Sequence, residues 1–86
     1  MHIYIKNITI PSSVQSIGAK AFYNCWSLSS VLFENPLGWW YNWNAAYTSG
    51  TTIPYEDLSN RSIAANYLKS SYVEYYWQCD KKDENN

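Results

Sequence analysis

Apolar residues recur along this chain in one fixed spacing. The motif apolar-x-x-apolar-x-apolar occurs twice, 23 residues apart, first at Ile5, Ile8 and Ile10 and then at Leu28, Val31 and Phe33. Self-similarity at a period of about 20 to 50 residues is typical of a solenoid, in which each copy is one coil that buries its apolar face against its neighbours. The pattern therefore predicts that residues 1–34 form one coil and the first strand of the next.

The coil is predicted to contain a strand, a corner and a short helix. Residues 3–10 are rich in β-branched side chains, and Pro11 ends this strand because proline has no N–H for a sheet ladder. A tight corner or a positive backbone φ is predicted at Gly18. Apolar residues at helical spacing then predict a helix of one or two turns over residues 19–25.

Residues 35–79 are predicted to cap the coil instead of repeating it. Asn35-Pro36 ends the regular pattern, because the residue before proline is pushed out of the helical region. Ser59 or Asn60 is expected to cap the helix of this segment. The predicted elements, in order, are an irregular hairpin (39–43 with 51–53), a helix (62–69) and a strand (72–78). Residues 80–86 are polar and charged and are predicted to be disordered.

The residues from Ile8 to Leu28 resemble the BspA-type leucine-rich repeat. They read I-T-I-P-S-S-V-x-S-I-G-x-x-A-F-x-x-C-x-S-L, and the match runs position by position. Stretches within 33–77 resemble the non-repeat segment that closes the last coil of such proteins. The sequence departs from the family pattern at Trp26, where a small polar residue is usual, and in the dense aromatic run from Trp39 to Trp43.

This resemblance implies an α+β fold and a non-catalytic role. The fold is the C-terminal end of a leucine-rich-repeat solenoid, with short parallel strands and one short helix per coil, closed by a hairpin, a helix and a strand. Family members are typically cell-surface or secreted proteins of bacteria and protozoa that serve in adhesion and protein–protein contact. The chain carries no signal peptide and no apolar run of membrane-spanning length.

Composition narrows the choice of partner. The net charge of −1 provides no basic field for nucleic acid or anionic lipid. The aromatic content of 19% comes mainly from nine Tyr and five Trp, whose polar edges suit half-exposed positions. A protein partner is therefore favoured, and a carbohydrate remains possible.

The inventory of reactive side chains argues against an enzyme, a metal site or a cofactor. His2 is the one histidine, and Cys25 and Cys79 are too few for an ordinary zinc site. The two cysteines are expected to be thiols and not a disulfide. The adjacent Glu56 and Asp57 precede the predicted helix, where negative charge favours the positive end of the helix dipole.

Two candidate interaction surfaces follow. The first is aromatic, because clustered rings can stack on a sugar or enter a partner, as in a carbohydrate-binding module that uses residues 39–47. The competing interpretation is that most of these rings are buried and cover the apolar end of the last coil. Trp26 is the better candidate for an exposed contact, since it replaces a small residue. The aromatic set is Trp26, Trp39, Trp40, Tyr41, Trp43 and Tyr47.

The second surface is the open N-terminal edge of the coil, at Ile5, Ile8 and Ile10. Nothing in the sequence covers this edge, so its strand should present unpaired backbone groups and apolar side chains. Either further coils of a longer protein stack on it, or another copy of the chain does. The isolated chain is therefore expected to self-associate as a homodimer.

Overall fold

The structure, a computed structural model, describes residues 4–44 and 50–80. The fold is α+β, with a two-stranded parallel sheet of order β1-β3 and a four-stranded antiparallel sheet of order β2-β6-β4-β5. The predicted tail beyond Asp80 lies outside the described residues. The elements are β1 (Asn7–Ile10), β2 (Ser16–Ile17), β3 (Ser30–Phe33), β4 (Trp39–Asn42), β5 (Thr51–Thr52), α1 (Tyr55–Ser59), α2 (Arg61–Asn66), a π-helical turn (Tyr67–Ser71) and β6 (Tyr76–Cys79).

The 23-residue repeat sets the register of the parallel sheet. Ile8 lies opposite Val31 and Ile10 lies opposite Phe33, so each residue of β1 pairs with its equivalent in the next copy. Val31 and Phe33 are buried between exposed or half-buried neighbours, as the period-two pattern of a strand requires. The first strand starts at Asn7, later than predicted, and it ends before Pro11 as expected.

The predicted helix over residues 19–25 is wrong. Successive i to i−3 hydrogen bonds form turns there, for example from the Tyr23 N–H to the Lys20 carbonyl at 3.0 Å. Lys20 and Asn24 have φ values of 60° and 67°, and a right-handed helix needs negative φ at every residue. The Lys20 N–H donates instead to the Val73 carbonyl at 2.7 Å, so a tertiary contact holds this conformation.

Of the two alternatives predicted at Gly18, a tight corner or a positive φ, the structure has the corner. The Ala21 N–H donates to the Gly18 carbonyl at 3.2 Å, which places a corner where the sequence indicated one. The glycine with positive φ is Gly38, at 81°. A Cβ on Gly18 would have no heavy atom within 4 Å, so the turn does not require glycine on steric grounds.

Strand β2 joins the first coil to the sheet of the C-terminal segment. Ser16 and Ile17 pair antiparallel with Gln78 and Trp77 of β6. The Cys79 N–H donates to the Gln15 carbonyl at 2.9 Å and extends this pairing. The pairing crosses the boundary predicted after residue 34, so the coil and the segment that follows it share one sheet.

Three large rings form the centre of the core. Phe33 lies 5.4 Å from Trp39 and 6.1 Å from Trp77, and the two indoles lie 6.3 Å apart. Both indole N–H groups are satisfied, Trp39 by the Asn35 carbonyl at 2.9 Å and Trp77 by the Tyr72 carbonyl at 3.1 Å. These bonds matter because an unpaired donor in this position would cost about 1–3 kcal/mol.

The helices cover β3 on the side away from β1. Helix α2 packs on β3 through the buried Ala64 and Ala65, whose small side chains permit close approach. The helical region begins at Arg61 and continues through the π-helical turn, so it is longer than the predicted 62–69. Helix α1 was not predicted as a separate element.

The last strand is shorter than predicted. It starts at Tyr76, because the Tyr75 N–H closes a turn onto the Tyr72 carbonyl at 3.2 Å. The turn lets the Tyr72 carbonyl also accept the Trp77 indole N–H. The local aromatic content favoured a strand from Tyr72, whereas the hydrogen bond from the Trp77 indole to the Tyr72 carbonyl favours the turn.

Asn60 caps α2, and its replacement by alanine tests this capping. Its side-chain oxygen accepts the N–H groups of Ser62 and Ile63 at 3.0 and 3.2 Å. We expect Asn60→Ala to lower the free energy of unfolding by about 1 kcal/mol, because two donors of the first turn lose their partner. Urea denaturation measures the change. Ser59→Ala, the alternative cap position, should be close to neutral, and equal losses in both variants would contradict the assignment.

Candidate functional site

Two of the predicted surface aromatics are interior residues. Trp39 and Trp40 are both buried, so their prediction as part of the interaction surface is wrong. The reason is that β4 is an inner strand of its sheet, with Trp39 in the core and Trp40 on the opposite face against Gly50. A Cβ on Gly50 would lie only 2.7 Å from Trp40 Cε3. Tyr47 lies outside the described residues.

Beside the core lies a series of rings in successive contact, which we call the aromatic ladder. Its inner members are half-buried tyrosines, and its outermost member is an exposed tryptophan. Ring centroids are separated by 4.8 Å (Tyr67–Tyr72), 4.3 Å (Tyr72–Tyr41), 4.7 Å (Tyr41–Tyr75) and 4.2 Å (Tyr75–Trp43). The ladder consists of Tyr67, Tyr72, Tyr41, Tyr75 and Trp43.

The strand register explains the outer part of the ladder. Tyr41 pairs with Trp77, and Asn42 pairs with Tyr76. The next positions along the two antiparallel strands are Trp43 and Tyr75, which therefore face each other across the strand ends. The sequence run 39–43 indicated Trp43 but not its partner. The alternation of Tyr75 and Trp77 along the last strand was the signal available for it.

An acidic side chain anchors the inner end of the ladder. The Tyr67 hydroxyl donates to Asp57 Oδ2 at 2.7 Å. This hydrogen bond, with help from burial and the negative charge of Asp57, raises the pKa of Tyr67 to about 12. Burial and a hydrogen bond with Tyr41 raise the pKa of Tyr72 as well. Because the pKa of Tyr67 and that of Tyr72 are raised, both rings are uncharged at neutral pH, which suits their close packing.

The outer end of the ladder borders a cavity of about 230 Å³. Trp43 is 65% exposed there. Its backbone N–H donates to its neighbour Asn42 Oδ1 at 2.6 Å, which holds the start of the loop in place. The described residues that line the cavity combine three aromatic rings, two of them phenols, with an amide and an aliphatic hydroxyl: Tyr41, Asn42, Trp43, Gly50, Thr51 and Tyr75.

Trp26 lies on another part of the chain, in the turn that leads to β3. It is 62% exposed, which confirms the exposure expected from its replacement of a small residue. Its contact with a partner stays a prediction.

The backbone of β1 is paired on one side only. The Lys6 and Ile10 carbonyls accept the N–H groups of Ser30 and Glu34 at 3.1 and 3.0 Å. Since alternate residues of a strand point their backbone groups to opposite sides, Asn7 and Thr9 direct theirs away from β3. No other strand in the ranges 4–44 and 50–80 pairs with that outer side.

The side chains along this edge differ from their equivalents in the next copy. Ile5 is 47% exposed, whereas Leu28 in the matching position is fully buried. Ile8 is half-buried, and its equivalent Val31 is fully buried. Ile10 was predicted to be exposed on the open edge. This prediction is wrong, because Ile10 is buried in the core.

The groups with reactive potential are dispersed. Cys25 and Cys79 are buried thiols, and burial raises the pKa of Cys25, which disfavours the reactive thiolate. Glu56 and Asp57 lie in the first turn of α1, a separate helix that precedes the predicted one. His2 lies outside the described residues. Over residues 4–44 and 50–80, no three His, Cys, Asp or Glu side chains converge to hold a metal ion.

Comparison with known proteins identifies a repeat family. The family model described as "BspA type Leucine rich repeat region (6 copies)" matches residues 1–76. No curated protein and no solved structure matches the chain. The helices in the described part of the chain include none long and apolar enough to cross a bilayer.

Because the Tyr67 hydroxyl donates a hydrogen bond to Asp57, we expect the free energy of unfolding to fall in alkali. A tyrosine whose pKa is raised in the folded state stabilises the fold fully below its unfolded value of about 10, and this contribution disappears as the pH rises through about 12. We expect the difference in unfolding free energy between the wild type and Tyr67→Phe to be constant below pH 10 and to shrink above it. Urea titrations across this range measure the difference, and a pH-independent value would contradict the assignment.

Proposed function

The chain belongs to the BspA-type leucine-rich-repeat family, and on that premise we propose that it is a non-catalytic protein-interaction module that binds through the outer edge of β1. Leucine-rich repeats are in general recognition surfaces and not catalysts. The setting common in this family, at the cell surface or in secreted proteins, supports a role in adhesion. The net charge of −1 favours neither nucleic acid nor an anionic membrane as partner.

The difference between equivalent side chains carries this proposal. Leu28 and Val31 are fully buried because strand β1 lies on one side of their copy and helix α2 covers the other. Ile5 and Ile8 have the same places in the repeat but lack a neighbouring strand on their outer side among the described residues. A strand added beside β1 would bury them in the way β1 buries their equivalents.

The partner is a strand of the same repeat type. It would receive hydrogen bonds from the outward backbone groups of Asn7 and Thr9, as in β-augmentation, and would cover Ile5. In a longer array, a preceding coil would supply this strand. For the chain alone, a second copy supplies it, which gives a homodimer.

A carbohydrate-binding role cannot use the platform first expected from the sequence. The structure removes Trp39 and Trp40 from the surface, and Tyr41 and Trp43 are the predicted rings that keep solvent access. The cavity beside these two rings is the observation that favours a sugar, and it lies on the antiparallel sheet and not on β1.

Proline at position 9 tests the β1 edge. The Thr9 N–H points outward, so Thr9→Pro removes an edge donor without removing a bond to β3. We expect the wild type to form dimers at micromolar concentration and Thr9→Pro to dimerise about tenfold more weakly or worse, measured by sedimentation equilibrium. Thr9→Val keeps the N–H and should dimerise like the wild type. If the wild type is a cooperatively melting monomer under these conditions, the prediction of a homodimer is wrong.

Trp26→Ala tests the prediction that the exposed Trp26 side chain also contacts the partner. Because Trp26 is 62% exposed, we expect its truncation to weaken partner binding while the melting temperature stays within about 2 °C of the wild type. Thermal denaturation and sedimentation of the same samples measure both effects. A large drop in melting temperature would show that Trp26 belongs to the core.

A further inference from the structure

We propose that the outer end of the aromatic ladder binds one ring of a neutral sugar. The site is the cavity between β4, β5 and the residue before β6, and it does not involve the β1 edge. The two surfaces can therefore operate independently. Trp43 and Tyr75 supply the stacking rings, and Thr51 supplies a hydroxyl group.

Trp43 is exposed and yet held in position. One part of its ring system packs on Tyr75 at 4.2 Å, and its backbone N–H is fixed by Asn42 Oδ1. Tyr75 is in turn supported by Tyr41 at 4.7 Å. A ring that is already ordered loses little conformational entropy on binding, which favours a ligand that stacks on it.

The cavity suits a small ligand. Its volume of about 230 Å³ is below the roughly 300–1,000 Å³ of sites for drug-sized molecules, so it accommodates a single ring and not an extended group. Gly50 defines one wall, where a Cβ would collide with the backbone of Tyr41 and with the Trp40 ring. The absence of a side chain lets the chain at Gly50 lie close to β4.

The lining indicates the charge of the ligand. None of the six lining residues is charged, so a carboxylate, phosphate or ammonium group would lose water without gaining an ion pair. A neutral pyranose avoids this cost. Its C–H faces carry a small positive charge that meets the negative face of an aromatic ring, and its hydroxyl groups can bond at the rim.

Thr51 distinguishes a sugar from a proline-rich peptide. A proline ring can also stack on Trp43, and the peptide carbonyl groups can accept a hydrogen bond from the Thr51 hydroxyl on the cavity wall. A proline residue has no N–H or O–H to donate in return, whereas a sugar hydroxyl both donates and accepts. The side chain of Thr51 is exposed and close enough to line the same space as the rings. This mixture of aromatic faces and a neutral hydroxyl favours the sugar.

NMR of the five tryptophan indole N–H groups tests the proposal on the whole chain. The probes are neutral hexasaccharides of glucose, N-acetylglucosamine or mannose, with a proline hexapeptide as comparison. We expect at least one sugar to shift the Trp43 indole signal with a dissociation constant on the order of 1 mM, as for burial of one ring. The Trp26 indole, similarly exposed, is the internal control and should not shift.

Variants locate the site. Trp43→Ala should weaken sugar binding about tenfold or more, whereas Trp43→Tyr should retain most of it, because the stacking face remains. Thr51→Val keeps the shape and removes the hydroxyl, so it should weaken binding of the sugar, which can both donate to and accept from that hydroxyl, more than any binding of the peptide. Trp26→Ala should bind the sugar like the wild type.

Three results would overturn the sugar site. One is that no hexasaccharide moves the Trp43 indole at about ten times the expected dissociation constant. Another is that the proline peptide moves it while all the sugars fail. The third is that Trp26→Ala loses sugar binding as strongly as Trp43→Ala. Because each titration can be done on Thr9→Pro, failure of the sugar site is distinguishable from failure of the β1 edge.

Discussion

Contact among Phe33, Trp39 and Trp77 joins the two sheets of this protein. Phe33 ends the parallel sheet, whereas Trp39 and Trp77 belong to the antiparallel one. Ring pairs of this kind contribute about 0.5–1.5 kcal/mol each beyond the area that they bury. Their geometry also requires acceptors for two indole N–H groups, and the chain bends after Phe33 and before β6 in ways that supply them. The turns around the core thus follow from the polar edges of its rings.

Local patterns predicted the parts of the fold that depend on local physics. The spacing of Ile8 and Val31 gave the register of the parallel sheet, since the repeat itself is the pairing rule. Asn60 was one of two caps suggested by its short polar side chain, and it accepts the bonds expected of a cap. The α+β class and the family are also correct.

Non-local contacts account for the errors. The positive φ at Lys20 accompanies a hydrogen bond to Val73, which lies 53 residues further along the chain. The short strand at Ile17 exists because β6 pairs with it. Consecutive tryptophans carry no periodic contrast, so burial of Trp39 and Trp40 and exposure of Trp43 could not be separated before the position of β4 in its sheet was known.

Unequal coverage of the two copies has a consequence for how the molecule opens. In a stacked array, stability is roughly the sum of each unit and its contacts with neighbours, so a unit with one covered side is the weaker one. The copy that contains β1 is in this position, whereas β3 lies between β1 and α2. Amide protons of β1 should therefore exchange with solvent through partial opening, before those of β3 and β6 do so through global unfolding. A neighbour bound at β1 would remove this difference. The first measurable effect of binding would then be slower amide exchange in β1.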